Sequence, residues 1–264
     1  MVEAYHLEGP VQFGMNWLSR AVVLDFGKSV ITLQGMRVNL LLAESIPNTS
    51  LVMIIALVPV LLGTFLPALR LLPRRLDGFF QAIGVLPGVI FALFVVAALT
   101  IQFGTSLPFV QYFDLGGGVT WEFDPVRLLA GGLVLGIADN ALSGAIIGTR
   151  AVFDTEVKQR YIGIAILRGE KVLSNALPNV LPTLVGQLRG RVLHLLSGAV
   201  IVEVVLQING LGDLLWDGTL DNDYFIVLAA AWGFSLLSAA MLFFQASSEV
   251  AVEMMVRRSP KVPS

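Results

Sequence analysis

Five long runs of apolar residues, at 51–69, 79–101, 126–148, 192–208 and 224–246, alternate with polar segments along this chain. A helix rises about 1.5 Å per residue, so each run can cross a hydrocarbon core of roughly 30 Å, with 192–208 near the short limit. Transmembrane strands would alternate apolar and polar residues over about ten positions, whereas residues 91–98, FALFVVAA, are apolar on every side. The pattern predicts an all-α integral membrane fold with five spans. Pro59, Pro67 and Pro87 lie inside the runs and predict kinks rather than ends, because neighbouring helices can satisfy freed carbonyls in a membrane bundle. Composition points the same way: 56% of the 264 residues are hydrophobic and 14% charged, too little polar surface to cover a soluble globule of this size.

Lys and Arg orient the spans, since short loops rich in them stay cytoplasmic. Arg70, Arg74 and Arg75 occupy the first short loop, and Arg150, Lys158, Arg160, Arg168, Lys171, Arg189 and Arg191 the long one at 149–191; Arg257, Arg258 and Lys261 follow the last run. The intervening loops, 102–125 and 209–223, carry Asp114, Glu122, Asp124, Asp213, Asp217, Asp221 and Asp223 without a Lys or Arg, which places them outside. The expected organisation is an external segment at 1–50, a transmembrane domain at 51–246 holding the cytoplasmic loop 149–191, and a cytoplasmic tail at 247–264. Five spans with a cytoplasmic C-terminus leave residues 1–50 outside without an apolar run to lead them there, so a first helix is expected upstream. The absence of cysteine removes disulfides from the reading.

The long loop reads YIGIAILRGEKVLSNALPNVLP from Tyr161. It resembles the cytoplasmic loop of binding-protein-dependent ABC importer permeases: Glu-Ala-Ala, three residues, Gly, then nine residues before Ile-x-Leu-Pro. Ala165, Gly169, Leu181 and Pro182 fit that pattern; Gly163, Ile164 and Asn179 depart from it. Outside the loop, YHLEGPVQFGMNWLSRAVVLDFGKS is similar to the outer segment of the dipeptide permease B-type subunit in the peptide/opine/nickel branch, through Pro10, Gln12, Trp17, Leu18, Asp25, Gly27 and Ser29. Glu44, Pro47, Thr49 and Leu51 match that family's Glu-x-x-Pro-x-Thr-x-Leu, and Glu203, Gly210, Leu211, Gly212, Asp223 and Tyr224 match its later elements.

The resemblance implies a type I importer transmembrane domain in the bacterial cytoplasmic (inner) membrane, surrounded by lipid. It implies a homologous C-type permease, two cytoplasmic ATPases and an external substrate-binding protein as partners, with ATP and Mg on the ATPases and no cofactor or nucleic acid on this chain. A coupling loop of Tyr161, Ala165, Gly169, Leu181 and Pro182 would be a short helix ended by Gly169, followed by a turn near Pro178 and Pro182, projecting as one knob into an ATPase groove. Peptides, nickel complexes, opines and oligosaccharides remain open as solutes, because importers of this kind take selectivity from the binding protein. A paralogue that assembles without transporting is the alternative raised by Gly163, Ile164 and the missing first span.

Other candidates carry less. Gly27, Lys28 and Ser29 imitate the end of a phosphate-binding loop, but Val22 stands where the earlier Gly is required. Gly132 with Gly136, Gly144 with Gly148, and Gly84 with Gly88 are small-xxx-small pairs that permit close helix packing, internal or against a partner permease. Asp139 and Glu203 fall inside expected spans, where a carboxylate needs water, a partner or a proton; both are pathway or gate candidates, with helix-end capping the plainer role for Glu203. They also admit an ion-coupled secondary transporter as a further class. His6 and His194 are expected on opposite sides of the membrane, His194 packed or snorkelling near the cytoplasmic end, so they suggest no metal cluster. Ser, His and Asp form no nucleophile elbow, which argues against a hydrolase.

Overall fold

A computed structural model describes residues 9–33, 35–104, 110–116 and 119–258; His6 and Lys261 lie outside these. Helix α1 (Pro10–Val22) begins on a proline, which its missing N–H suits. Helix α2 (Val38–Ala68) runs 31 residues through Pro47, Pro59 and Pro67. A short turn of 3-10 helix (Arg74–Leu76) leads into α3 (Asp77–Gly84) and α4 (Gly88–Phe103). An antiparallel hairpin, β1 (Gln111–Gly116) with β2 (Val119–Phe123), pairs Phe113 with Trp121. Then come α5 (Pro125–Ile137), α6 (Ala141–Val157), α7 (Arg160–Leu167), α8 (Val172–Leu206), α9 (Leu211–Leu220) and α10 (Tyr224–Arg258).

Among the described residues two helices, α2 and α10, are long and apolar enough to cross a bilayer unbroken, and the number rises to five if each of three bent pairs is one span. The five apolar runs are therefore present, but three differ from straight helices. Run 79–101 is broken between α3 and α4 with an 88° bend, and Pro87 is the N-cap of α4, so it ends a helix rather than kinking one. Run 126–148 bends by 40° between α5 and α6, where Asp139 and Asn140 both have left-handed backbone, φ 48° and 62°. Run 192–208 is the last part of the 35-residue α8, which removes the problem of its length. Pro178 and Pro182 also lie inside α8, not in a turn. The hairpin replaces what the sequence pattern reads as plain loop; its short apolar stretches are too brief to register as strands beside the long helical runs.

The main core surrounds α2. Val52, Met53, Ala56 and Val60 pack against Leu128, Val134 and Leu135 of α5, Ala145 of α6, and Leu195, Ala199 and Val202 of α8. A Cβ on Gly136 would sit 2.4 Å from the Ala56 carbonyl oxygen, and one on Gly132 2.5 Å from Ile55 Cβ. This small-residue pair is an internal seam between α5 and α2, where close backbone approach replaces the hydrophobic drive that hydrocarbon cannot supply. A second core joins α1 to the starts of α2, α9 and α10 through Trp17, Ala21, Leu42, Leu211, Ile226 and Ala229. A third, Ala68, Phe153, Ile162, Ala176, Val180 and Leu184, gathers the end of α2, α6, α7 and the start of α8.

Gly136→Val should destabilise the purified protein by about 2–3 kcal/mol, since the opposing Ala56 backbone cannot rotate away. Gly163→Ala, where a Cβ meets nothing within 4 Å, should leave the thermal unfolding midpoint unchanged or raise it. Equal losses in the two variants would remove the tight α2–α5 seam from this account.

Candidate functional site

The segment 160–170 forms a short, capped projection. Gly169 adopts φ +77° just beyond α7, a conformation an L side chain rarely tolerates. Glu170 N donates to Ala165 O at 2.9 Å and Gly169 N to Ile166 O at 3.0 Å, the paired bonds of a Schellman cap. Ile162 is buried in the third core and Ala165 is buried beside it on α7, whereas Ile164 and Ile166 are each 51% exposed and Leu167 is 88% exposed. One face of α7 is thus fixed to α6 and α8, and the other presents bare aliphatic side chains.

Tyr161 ties the start of α7 in place: its hydroxyl donates to Glu156 and accepts from Asn179 Nδ2 at 2.7 Å. Burial, and then the Glu156 carboxylate, push the Tyr161 hydroxyl above the ordinary tyrosine range. Asn179, which departs from the resemblance, therefore has a partner within the loop. Leu181 and Pro182 are half-buried on α8, away from the α7 projection in sequence but continuous with its support. A Cβ on Gly163 would meet nothing within 4 Å, so that departure has no steric cause.

At the opposite end of the bundle, matched residues from distant parts of the chain meet in a series of polar contacts. Asp223 Oδ2 accepts from Ser29 Oγ at 2.7 Å, Val30 N at 2.8 Å and Ile31 N at 3.0 Å. Burial raises the Asp223 carboxyl, but these donors outweigh it and hold the group below the usual carboxylate range. Ser29 is thereby committed to Asp223, leaving no phosphate-binding role for Gly27, Lys28 and Ser29. Asp25 pairs with Arg20 at 2.8 Å, and Gly27 takes φ +84°. Glu44 Oε1 accepts from Thr120 N at 3.0 Å, joining α2 to the hairpin. Asn48 accepts from Trp121 Nε1 and donates to the Asn209 carbonyl.

Glu203 is fully buried and makes one of these contacts. Its Oε2 accepts from Gly212 N at 2.7 Å, while Leu211 N donates to Thr49 Oγ1 at 2.7 Å. These are the first N–H groups of α9, which have no partner within the helix, and the carboxylate also meets the positive end of the helix dipole. A Cβ on Gly210 would lie 2.3 Å from Oε2. The Glu, Gly-Leu-Gly and Thr49 elements are therefore one helix-end clamp.

Asp139 sits at the α5–α6 break and is exposed. Its Oδ1 accepts from Gly88 N at 2.8 Å, capping α4, while Asp139 N and Asn140 N donate to Leu86 O and Gly84 O at 3.3 and 3.0 Å. Gly84 and Gly88 admit this contact: Cβ atoms there would strike Ser143 Oγ and Asp139 Oδ2. His194 Nε2 lies 3.1 Å from Asp139 O, so the histidine is at this break rather than at a helix end. Arg191 NH2 donates to Gly144 O at 2.7 Å, and the Gly144 and Gly148 pair makes room for its guanidinium. The partners of Asp139 and the role of Arg191 escape sequence reading, although the consecutive Asp139-Asn140, both tolerant of left-handed backbone, is the signal that marks a break.

No family model matches the chain. It is similar to the oligopeptide transport system permease protein AppB of Bacillus subtilis (strain 168), 28% identical over 247 residues that take in 86% of this chain and 75% of that protein. This relative bears out the resemblance to B-type permeases of peptide importers.

Glu203→Ala should lower stability by about 2–3 kcal/mol, because the Gly212 donor is left buried without an acceptor, whereas Glu203→Gln, which keeps an oxygen there, should cost less. Thermal unfolding in detergent reads the difference; equal midpoints for both variants and wild type would refute the clamp. For Asp223 the folded pKa is depressed, so its stabilisation is complete above the ordinary value of about 3.9 and is lost as pH falls through the folded value. The stability gap between wild type and Asp223→Asn should accordingly be widest near neutral pH and close in acid. A gap that widens on acidification would contradict the Ser29–Asp223 clasp.

Proposed function

We propose that this chain is a permease subunit of an ATP-driven importer that moves peptides or similar small solutes across the bacterial cytoplasmic membrane by alternating access. The observation that carries the proposal is α7: a helix of two turns, locked at one end by a left-handed glycine, backed by a buried core, and exposing Ile164 and Leu167 to whatever docks against it. The similarity to AppB supports the same reading. ATP and Mg would be held by two partner ATPases, a homologous C-type permease would complete the pathway, and an external binding protein would deliver the solute. Hydrolysis would then occur outside this chain.

The geometry suits force transmission. Ile162 shares a core with Phe153 of α6 and Ala176 and Val180 of α8, and a close-packed core passes a displacement on rather than absorbing it. Helix α8 has 35 residues, about 50 Å at the usual rise, and ends at the Glu203 clamp on α9. Closure of the ATPases against α7 would tilt α6 and α8 together and shift the bundle between inward-open and outward-open states. Lys158, Arg160, Arg168 and Lys171 around α7 support a cytoplasmic position for this end, with α1, the hairpin and α9 outside. Asp139, Asn140 and His194, exposed at the α5–α6 break, are the polar groups proposed to face the pathway.

The test is reconstitution of the complex with Ile164→Asp and Leu167→Asp together. Solute uptake and solute-stimulated ATP hydrolysis should both fall by about tenfold or more, as for loss of a central apolar anchor in an interface. Uptake that persists in this variant without ATP and collapses with an ion gradient would reject the proposal in favour of secondary transport.

A further inference from the structure

A cavity of about 400 Å³ opens beside the end of α2 and against α6, lined by Pro67, Arg70, Arg74, Arg150, Phe153 and Asp154 among others. Its charge is unbalanced. Arg74 pairs with Asp154, and Arg150 lies 2.9 Å from Asp77 Oδ1, so two carboxylates face three guanidinium groups. Among the described residues Arg70 has no carboxylate partner; its guanidinium stacks over the Phe153 ring at 5.3 Å. The Arg150 side chain is only 12% exposed and donates to Leu72 O at 3.1 Å, yet its Nε–H has no acceptor among the described residues. A buried charged donor without a partner is expensive, and an oxyanion in the cavity would meet it.

The surroundings select the kind of anion. The cavity lies at the last turn of α2, one of the two unbroken spans, which is the depth at which lipid headgroups sit. Leu71 is 66% exposed and Phe79 60% exposed, with Leu69 and Leu76 also bare, so the segment that supplies Arg70 and Arg74 also offers apolar side chains to its surroundings. Free phosphate has no use for such side chains; acyl chains do. Arg also suits phosphate better than Lys because its planar fork bonds two oxygens at once. We propose that this cavity is a binding site for the phosphate of an anionic phospholipid, held by Arg70, Arg74 and Arg150 with its chains along Leu69, Leu71 and Phe79. The third core, which contains both Ala68 and Phe153, connects the site to α7, so lipid occupancy would stiffen the support on which α7 rests.

The experiment uses the full chain, first alone and then with partner ATPases added, in nanodiscs of phosphatidylcholine with or without phosphatidylglycerol, and counts retained lipid by native mass spectrometry. Arg70→Asn with Arg74→Gln is the chosen variant, because Asn tolerates the φ of +59° at position 70. Wild type should retain phosphatidylglycerol, and the double variant about tenfold less, in keeping with two interfacial arginines. Equal retention, or an equal loss in the exposed control Arg168→Gln, overturns the proposal. Displacement of the lipid by inorganic phosphate overturns the lipid source in favour of a free anion, and loss of lipid only when the ATPases bind assigns the cavity to a protein contact instead. Should the double variant not fold, wild type alone decides: its unfolding midpoint should be higher with phosphatidylglycerol than with phosphatidylcholine only, and no difference overturns the site. None of these readouts depends on transport, so the lipid site and the importer reading can fail separately.

Discussion

Within hydrocarbon, a break in a helix releases backbone donors and acceptors that water cannot reach, and each must find another polar group. This chain meets that requirement by setting one break against another. The end of α3 leaves the carbonyls of Gly84 and Leu86 free, and the backbone N–H groups of Asn140 and Asp139, free because α5 has ended, donate to them. The start of α4 leaves Gly88 N free, and the Asp139 carboxylate accepts from it. Neither break is satisfied alone. A displacement of α3–α4 must therefore take α5–α6 with it, and because α5 is seated without clearance on α2 through Gly132 and Gly136, the movement is shared by the bundle.

The same constraint explains what the sequence made legible and what it hid. Hydropathy locates apolar segments, and all five runs at 51–69 through 224–246 correspond to helical structure. It carries no information about direction, so a largely apolar run such as 79–101 reads alike whether straight or bent by 88°. Pro87 was the visible cue, but a proline reads as a kink or an end according to whether the freed groups have partners nearby, and those partners come from residues 139 and 140. Pro178 and Pro182 err the other way. They suggest a turn, yet Ala176, Val180 and Leu184 anchor α8 in the third core on both sides of them, and tertiary packing keeps the helix continuous through two missing donors. The hairpin at 111–123 could not be read from periodicity because each strand has six residues or fewer.

The residues that carried the resemblance divide by position. Ala165 and Gly169 shape α7, the first by fitting a tight core and the second by allowing its cap. Asp25, Gly27, Ser29, Glu44, Thr49, Glu203, Gly210, Gly212 and Asp223 make or admit the polar contacts at the other end, which tie the segment after α1, α2, the hairpin, α9 and α10 to one another. Motifs separated by 194 and 162 residues in sequence are thus the two halves of single contacts, Ser29 with Asp223 and Thr49 with Leu211. The two ends of the molecule are specified by motif, and the span between them by packing of small residues.

Asp139 and Glu203 began as equivalent carboxylates in apolar runs, and geometry separates them. Both cap the start of a helix that follows a break, but Glu203 is enclosed by Gly210, Gly212 and Val200 with no surface left, so nothing passing through the bundle can reach it without opening the α8–α9 junction. Asp139 uses one oxygen on Gly88 and stays exposed beside Asn140 and His194. A charged group exposed along a membrane bundle demands a wet or polar neighbour. The capping duty fixes where Asp139 stands, and its exposure requires that a water-filled path or a partner subunit's polar surface come to that point on the bundle. A single carboxylate thus ties the α3–α4 break to the α5–α6 break and remains accessible there, so a change in the shape of the bundle at either break alters the surroundings of an exposed charge.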